Sequence, residues 1–158
     1  KNNSIQAVLG AFMLIPREAF DKTGGFDSDF FMYSEELDLC HRIRKQGYSI
    51  QYTDEVHVIH KHGGSTTDGQ WSLRQKYVSN LLLYKKKKGA FGYLLYHFLF
   101  CLNSFSNFFA MWLLDKNYRR DFWKLQRIYM FSLRYFFTIL FRYGQRSSEH
   151  FIKVPIGK

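Results

Sequence analysis

Apolar residues run almost unbroken through residues 5–15 (IQAVLGAFMLI) and stop at Pro16. A short apolar run bounded by a breaker predicts a buried strand, or a loop leading into one, with Gly10 allowing another backbone to come close. Residues 17–22 (REAFDK) predict one or two helical turns with Ala19 and Phe20 inward. Thr23-Gly24-Gly25 stops them, because glycine readily takes the left-handed conformation after a helix. Residues 26–33 form a loop rich in Phe and Tyr, rings that serve a core or a substrate groove equally well. A helix is predicted over residues 35–46. Ser34 stands at its N-cap, and Glu35, Glu36 and Asp38 fall in its first turn, where carboxylates suit the helix dipole. Leu39 and Ile43 share a face, Arg42, Arg44 and Lys45 fill the last turns, and Gly47 is the expected C′ residue. Residues 48–52 and 56–60 alternate as short strands. In the second, His60 lies on the face of Val56 and Val58, and His57 on the opposite one. A polar loop, His62-Gly63-Gly64-Ser65-Thr66, follows.

From Trp71 the pattern becomes helical. Residues 71–84 carry a basic face (Arg74, Lys76) and an apolar one (Leu73, Tyr77, Leu81, Tyr84). A run of four lysines, Lys85, Lys86, Lys87 and Lys88, is closed by Gly89. Residues 91–114 then contain no Asp, Glu, Lys or Arg. That length meets the roughly 20 apolar residues a bilayer crossing needs, but His97, Asn103, Ser104, Ser106 and Asn107 interrupt it. Lys116, Arg119, Arg120 and Arg127 follow, then an apolar stretch over 128–141 broken by Arg134. The pattern predicts a pair of amphipathic helices lying in, or dipping into, an anionic membrane surface. A true span by 91–114 is the second reading. Residues 144–158 read as a polar tail.

Composition sharpens the division. The first seventy residues have the mix of a soluble domain, whereas residues 71–143 are dominated by aromatic and basic side chains. The chain starts at Lys1 with no signal peptide, and with its unlike halves it reads as the C-terminal part of a larger protein. Its net charge of +10, from 23 Lys and Arg against 13 Asp and Glu, favours an anionic partner. With 20% aromatics and the long uncharged stretch, that partner is expected to be a membrane rather than nucleic acid, and no nucleic-acid-binding motif spacing is present. Cys40 and Cys101 form no CxxC pair, which gives no metal signature and points to a reducing compartment.

Candidate chemistry concentrates in two places: the acids that open the 35–46 helix, and the histidines and glycines of 60–66. Either has an ordinary explanation alone, since acids are common in a first helical turn and loop histidines are usually solvated. Together, with an aromatic loop ahead of them, they could hold a divalent metal near a phosphate and a carboxylate near a nucleophile. A zinc site from His57, His60 and His62 is disfavoured, because strand alternation turns His57 away from His60 and no cysteine is near.

The stretch LGAFMLIPREAFDKTGGFDSDFFMYSEELDLCHRIRKQGY, followed by VIHKHGGST, resembles the C-terminal half of a family 2 glycosyltransferase of the rhamnosyltransferase-like branch. Gly-Gly-Phe-Asp, an aromatic pair, Tyr, paired acids, Asp-Leu and a later His with Gly-Gly-Ser occur in order along residues 9–66. The resemblance implies an α/β fold. Residues 1–70 would be the acceptor-side half of a GT-A (Rossmann-like) catalytic domain whose nucleotide-binding half is missing, and residues 71–143 a membrane-associated helical region. It implies an inverting transferase that uses a nucleotide-diphosphate sugar and a saccharide or lipid-linked acceptor, at the cytoplasmic face of the cell membrane, with Mg²⁺ or Mn²⁺. Glu36 falls on the position of the general base, where the family usually has Asp; Glu reaches one methylene further. Glu35 would support it, Asp38 would contact acceptor or orient the helix, and Gly24, Gly25 and Asp27 would border the acceptor site. His60 would complete the metal shell or touch the diphosphate, and Lys85 to Lys88 would contact membrane or anion.

The family's Asp-x-Asp metal motif is not found in its place; Asp27-Ser28-Asp29 has the letters but lies in the acceptor-side motif. This piece alone is therefore expected to be inactive. The QxxRW motif of processive synthases is also missing, which favours transfer of a single sugar. The competing reading is a basic membrane-binding or scaffold module without chemistry, which leaves the acid cluster and HKHGGST unexplained.

Overall fold

The structure, a computed structural model, describes residues 4–60, 69–111 and 115–141. They form two compact units, one holding residues 4–60 with Gly69, the other residues 70–111 and 115–141.

In the first unit, β1 (Ser4–Ile5) pairs antiparallel with β2 (Ile50–Gln51), Ser4 opposite Gln51 and Ile5 opposite Ile50. Between them lie α1 (Arg17–Thr23) and α2 (Glu35–Lys45), which pack on each other. Ion pairs one turn apart, Arg17–Asp21 at 2.7 Å and Lys22–Glu18 at 2.6 Å, line the outside of α1. Ala19 turns inward as the spacing predicts, and joins Phe30, Leu39, Cys40 and Ile43 in the buried core. Gly24 (φ 74°) and Gly25 (φ 69°) both take left-handed conformations, and their N–H groups bond the Asp21 and Phe20 carbonyls at 3.0 Å. At Gly25 only glycine fits: a Cβ there would lie 2.9 Å from the Phe20 ring. Gly47 (φ 88°) follows α2 as expected.

The strands are much shorter than the alternation predicts. The apolar run 5–15 contributes only Ile5 to a strand, and Leu9, Phe12 and Leu14 stand exposed. Residues 56–60 form no strand, with Val56, Val58 and Ile59 exposed. A strand exists only where a neighbour's backbone completes its ladder, and among the described residues that neighbour is two residues long. Leu9, Phe12, Leu14, Val56 and Val58 instead line an open cavity of about 710 Å³, formed by residues from 5–19 and 48–58 with Cys40 and Ile43.

The second unit contains α3 (Gly69–Ala110), α4 (Lys116–Ser132), a 3₁₀ turn at Leu133–Tyr135 and α5 (Phe136–Phe141). The two expected helices on either side of the lysine run are joined into α3, with a break at Gly89 (φ 73°, ψ −174°). The buried stripe of the first part runs Trp71, Gln75, Val78, Leu82, so Leu73 faces out, contrary to expectation. Arg74 lies over the Phe131 ring at 4.9 Å, which draws its guanidinium out of solvent. Helix α4 begins earlier than the apolar pattern suggests, because the Asp115 carboxylate accepts the N–H groups of Lys116 (2.6 Å) and Asn117 (3.3 Å). Among the described residues no helix is long and apolar enough to cross a membrane; residues 112–114 of the expected span lie outside them.

Candidate functional site

Helix α2 presents its acids after an unusual turn. Tyr33 (φ 68°) and Ser34 (φ 70°) are consecutive left-handed residues, and neither is glycine. Each such residue costs on the order of 1–2 kcal/mol, and the packed surroundings hold them there. Ser34 occupies the N-cap as predicted, but its buried side chain makes no capping bond. A capping hydroxyl needs extended backbone at that residue, and the left-handed turn removes it. The Ser34 carbonyl still receives the first helical bond, from Asp38 N–H at 2.9 Å. Glu35 and Glu36 are thus the first two helical residues after a sharply turned chain.

Their environments differ. Glu35 is half-buried, and its Oε2 is buried without a hydrogen-bond partner among the described residues. Burial raises its pKa above the usual carboxylate value; its own backbone N–H pulls the other way, and the neighbouring Glu36 adds a smaller upward push. Glu36 lies against the apolar segment of residues 5–15. A Cβ on Gly10 would sit 3.4 Å from Glu36 Cβ and 3.7 Å from its Cγ. The close approach expected at Gly10 is therefore an approach to the candidate base.

Asp38 is placed differently from its neighbours. It is 4% exposed, and its Oδ2 accepts from Arg42 Nε at 2.7 Å. The same guanidinium donates from Nη1 to the Thr23 carbonyl at 2.6 Å. Arg42 therefore ties the acidic turn of α2 to the C-terminus of α1, where that carbonyl has no further helical partner to accept. Asp38 is thus engaged by Arg42 within its own helix. Sequence reading placed Arg42 only in a basic last turn; its spacing from Asp38 (i, i+4) is the signal that could have singled it out.

Asp27 holds the turn ahead of α2. Its Oδ1 accepts from Asp29 N–H at 2.9 Å, and its carbonyl accepts from Phe30 N–H at 3.1 Å. This turn follows Gly24 and Gly25, where Phe26 packs edge-on against Phe20 with ring centroids 6.0 Å apart. His60 lies in the exposed segment 56–60, not on a strand, and the rest of the HKHGGST motif lies outside the described residues. Among the described residues no three His, Cys, Asp or Glu side chains are gathered to hold a metal ion. His60 and the α2 acids thus make no metal shell by themselves. In the lysine run, Lys85 is buried and Lys86 half-buried, so the basic surface expected there is carried by Lys87 and Lys88.

A family model described as glycosyl transferase family group 2 matches residues 2–145. The rhamnosyltransferase WbbL of Escherichia coli K12 is 41% identical over 51 residues, 32% of this chain and 19% of that protein. The N-acetylglucosaminyl-diphospho-decaprenol L-rhamnosyltransferase of Mycobacterium tuberculosis is 40% identical over 57 residues, 36% of this chain and 19% of that protein. A low-salt glycan biosynthesis hexosyltransferase of Haloferax volcanii is 35% identical over 51 residues, 32% of this chain and 17% of that protein. The chain matches less than a fifth of the length of these curated relatives. No solved structure matches it.

Proposed function

The chain belongs to glycosyl transferase family group 2, and from that premise we propose that the complete protein transfers a sugar from a nucleotide-diphosphate donor to a lipid-linked saccharide. Transfer inverts the anomeric carbon, with Glu36 as general base. The observation that carries this reading is the presentation of Glu35 and Glu36: a left-handed turn on one side and the Arg42 tie on the other fix the start of α2. Fixed geometry of this kind is what a general base requires.

In the proposed step the Glu36 carboxylate takes the proton of the acceptor hydroxyl. The hydroxyl oxygen bonds to the anomeric carbon, the bond from that carbon to the diphosphate oxygen breaks, and the nucleoside diphosphate leaves with the electron pair. Glu36 ends protonated. Glu35, whose carboxyl burial pushes above the usual carboxylate value, stands beside the base and supports it. Asp38 and Arg42 orient the turn. Gly24, Gly25 and Asp27 shape the acceptor-side loop. Mg²⁺ or Mn²⁺ would neutralise the leaving diphosphate, but the described residues form no ligand set for it.

In this reading residues 1–70 are the acceptor-side half of a GT-A domain, and the exposed apolar run 5–15 is covered by the rest of that domain in the complete protein. Two matched relatives are named rhamnosyltransferases, one of them acting on a decaprenol-linked sugar, which supports a rhamnosyl or hexosyl donor and a polyprenyl-linked acceptor at the cytoplasmic membrane face. The test is a transfer assay with the complete protein, a panel of nucleotide sugars and a polyprenyl-diphosphate-linked saccharide. Transfer from one donor, lost in Glu36→Gln, is the expected result. Absence of both transfer and donor binding would refute the reading.

A further inference from the structure

Helices α3 and α4 are joined by side-chain hydrogen bonds that run from a buried His97–Tyr129 contact to an exposed one at Tyr118. His97 Nδ1 and the Tyr129 hydroxyl are 2.9 Å apart, Gln126 Nε2 donates to Ser104 Oγ at 2.9 Å, and the Tyr118 hydroxyl donates to Asn107 Oδ1 at 2.8 Å. Partners descend along α4 as they ascend along α3, so the two helices run antiparallel. Cys101 Sγ lies 3.6 Å from the same Tyr129 hydroxyl, and the Phe100 and Tyr129 rings stack at 3.8 Å. The outward face of α3 is the opposite. Phe91, Leu95, Phe98, Leu102, Phe105 and Phe108, spaced by three or four residues, are each at least 41% exposed.

In water an amphipathic helix turns its apolar stripe inward and its polar face out. Helix α3 does the reverse along residues 91–108, about 27 Å at 1.5 Å per residue, whereas α4 keeps Arg120, Asp121, Lys124 and Arg127 exposed. Such an arrangement suits an apolar medium, where polar side chains find their partners between helices. Exposed basic groups stand at both ends of the stripe: Lys87 and Lys88 before it, Lys116, Arg119 and Arg120 after it. The net charge of +10 has the same sign.

The geometry points to a lipid-bearing surface: the Phe91–Phe108 face of α3 lies in the headgroup and acyl boundary of an anionic bilayer, with the His97–Tyr129 seam behind it and the charged face of α4 toward water. No described helix can span, so the pair lies along the interface rather than across it. A second copy of this chain covering the same stripe would bring basic ends against basic ends, whereas anionic lipid brings opposite charge to them. This inference concerns the second unit alone and holds whether or not Glu36 is the base.

Flotation of the 158-residue chain with phosphatidylcholine vesicles, with and without phosphatidylglycerol, tests it. The expected result is flotation that strengthens with phosphatidylglycerol and weakens with salt. Phe98→Glu with Leu102→Glu, both at exposed positions, should cut partitioning at least about tenfold, since each removes a large apolar side chain from the lipid contact. Circular dichroism should show the helices retained. Lys87→Glu with Lys88→Glu should weaken the phosphatidylglycerol preference while leaving the apolar contribution, and an unchanged preference would overturn the role of this basic end. No flotation with either vesicle, undiminished flotation of the Phe98/Leu102 variant, or a soluble dimer that this variant splits would each overturn the inference.

Discussion

Arg42 and Asp38, one helical turn apart on α2, form a largely buried ion pair at 2.7 Å, and the free arm of the same guanidinium reaches the Thr23 carbonyl at 2.6 Å. One side chain thus closes the acidic turn and joins two helices. Arg42→Ala leaves the Asp38 carboxylate buried without its counter-charge, a loss of about 2–3 kcal/mol. Arg42→Lys keeps the charge but cannot hold both acceptors at once, because an ammonium lacks the guanidinium's fork. It should recover part of that loss. Urea midpoints of the two variants check this; an Arg42→Ala midpoint equal to wild type would remove the pair from the stabilising contacts.

The glycines after α1 and α2 predict unequal costs. Gly25→Ala meets both a left-handed backbone and the Phe20 ring, whereas Gly47→Ala meets only the backbone. Gly47→Ala should cost roughly 1–2 kcal/mol, and Gly25→Ala clearly more, read from the same denaturation curves. Equal costs would mean that the Phe20 ring yields freely.

Glu35 predicts a pH dependence with a definite sign. Its pKa is raised in the fold, mainly by burial, so between the unfolded value and the raised one the native state holds the extra proton. Stability from this group therefore falls as pH rises through that window and stays low at neutral pH. Glu35→Gln should raise the melting temperature at neutral pH. The advantage should vanish below the ordinary Glu range, where wild type is protonated in both states. A constant difference at all pH values would contradict the burial argument.

How much was legible beforehand follows from how local each feature is. Helix α2 was predicted within a residue, because its acids, its Leu39–Ile43 face and Gly47 are all local signals. The left-handed glycines after α1 were readable for the same reason. The Tyr33–Ser34 turn was not, since neither residue type favours positive φ and only the surrounding packing imposes it. Nor was the Arg42–Thr23 bond, which joins residues nineteen apart in sequence. Strand alternation at 56–60 and the apolar run at 5–15 marked sequences suited to sheets, but their length in the fold depends on a partner ladder that the pattern does not encode. The uncharged, apolar character of the 91–114 segment was legible. Its inverted seam was not, because that depends on which face meets α4.

Gly10 offers a separate check on the candidate base. A Cβ at residue 10 makes ordinary contact with Glu36, so Gly10→Ala should be tolerated in folding. Gly10→Val adds two methyl groups toward the carboxylate's stem and should lower kcat of the complete protein about tenfold or more, as small displacements of a base do, with donor binding unchanged. Equal kcat for Gly10→Val and wild type would separate Gly10 from the site.

Glu36 is the residue on which the functional reading turns. The most direct measurement is the single-turnover transfer rate of the complete protein as wild type, Glu36→Asp and Glu36→Gln, with donor affinity measured alongside. Loss of a general base should reduce the rate of Glu36→Gln by about 10²–10⁴-fold, with donor affinity kept and Glu36→Asp retaining much of the rate. A Glu36→Gln rate within a few-fold of wild type would contradict the assignment of the base and of the acidic turn as the site of transfer.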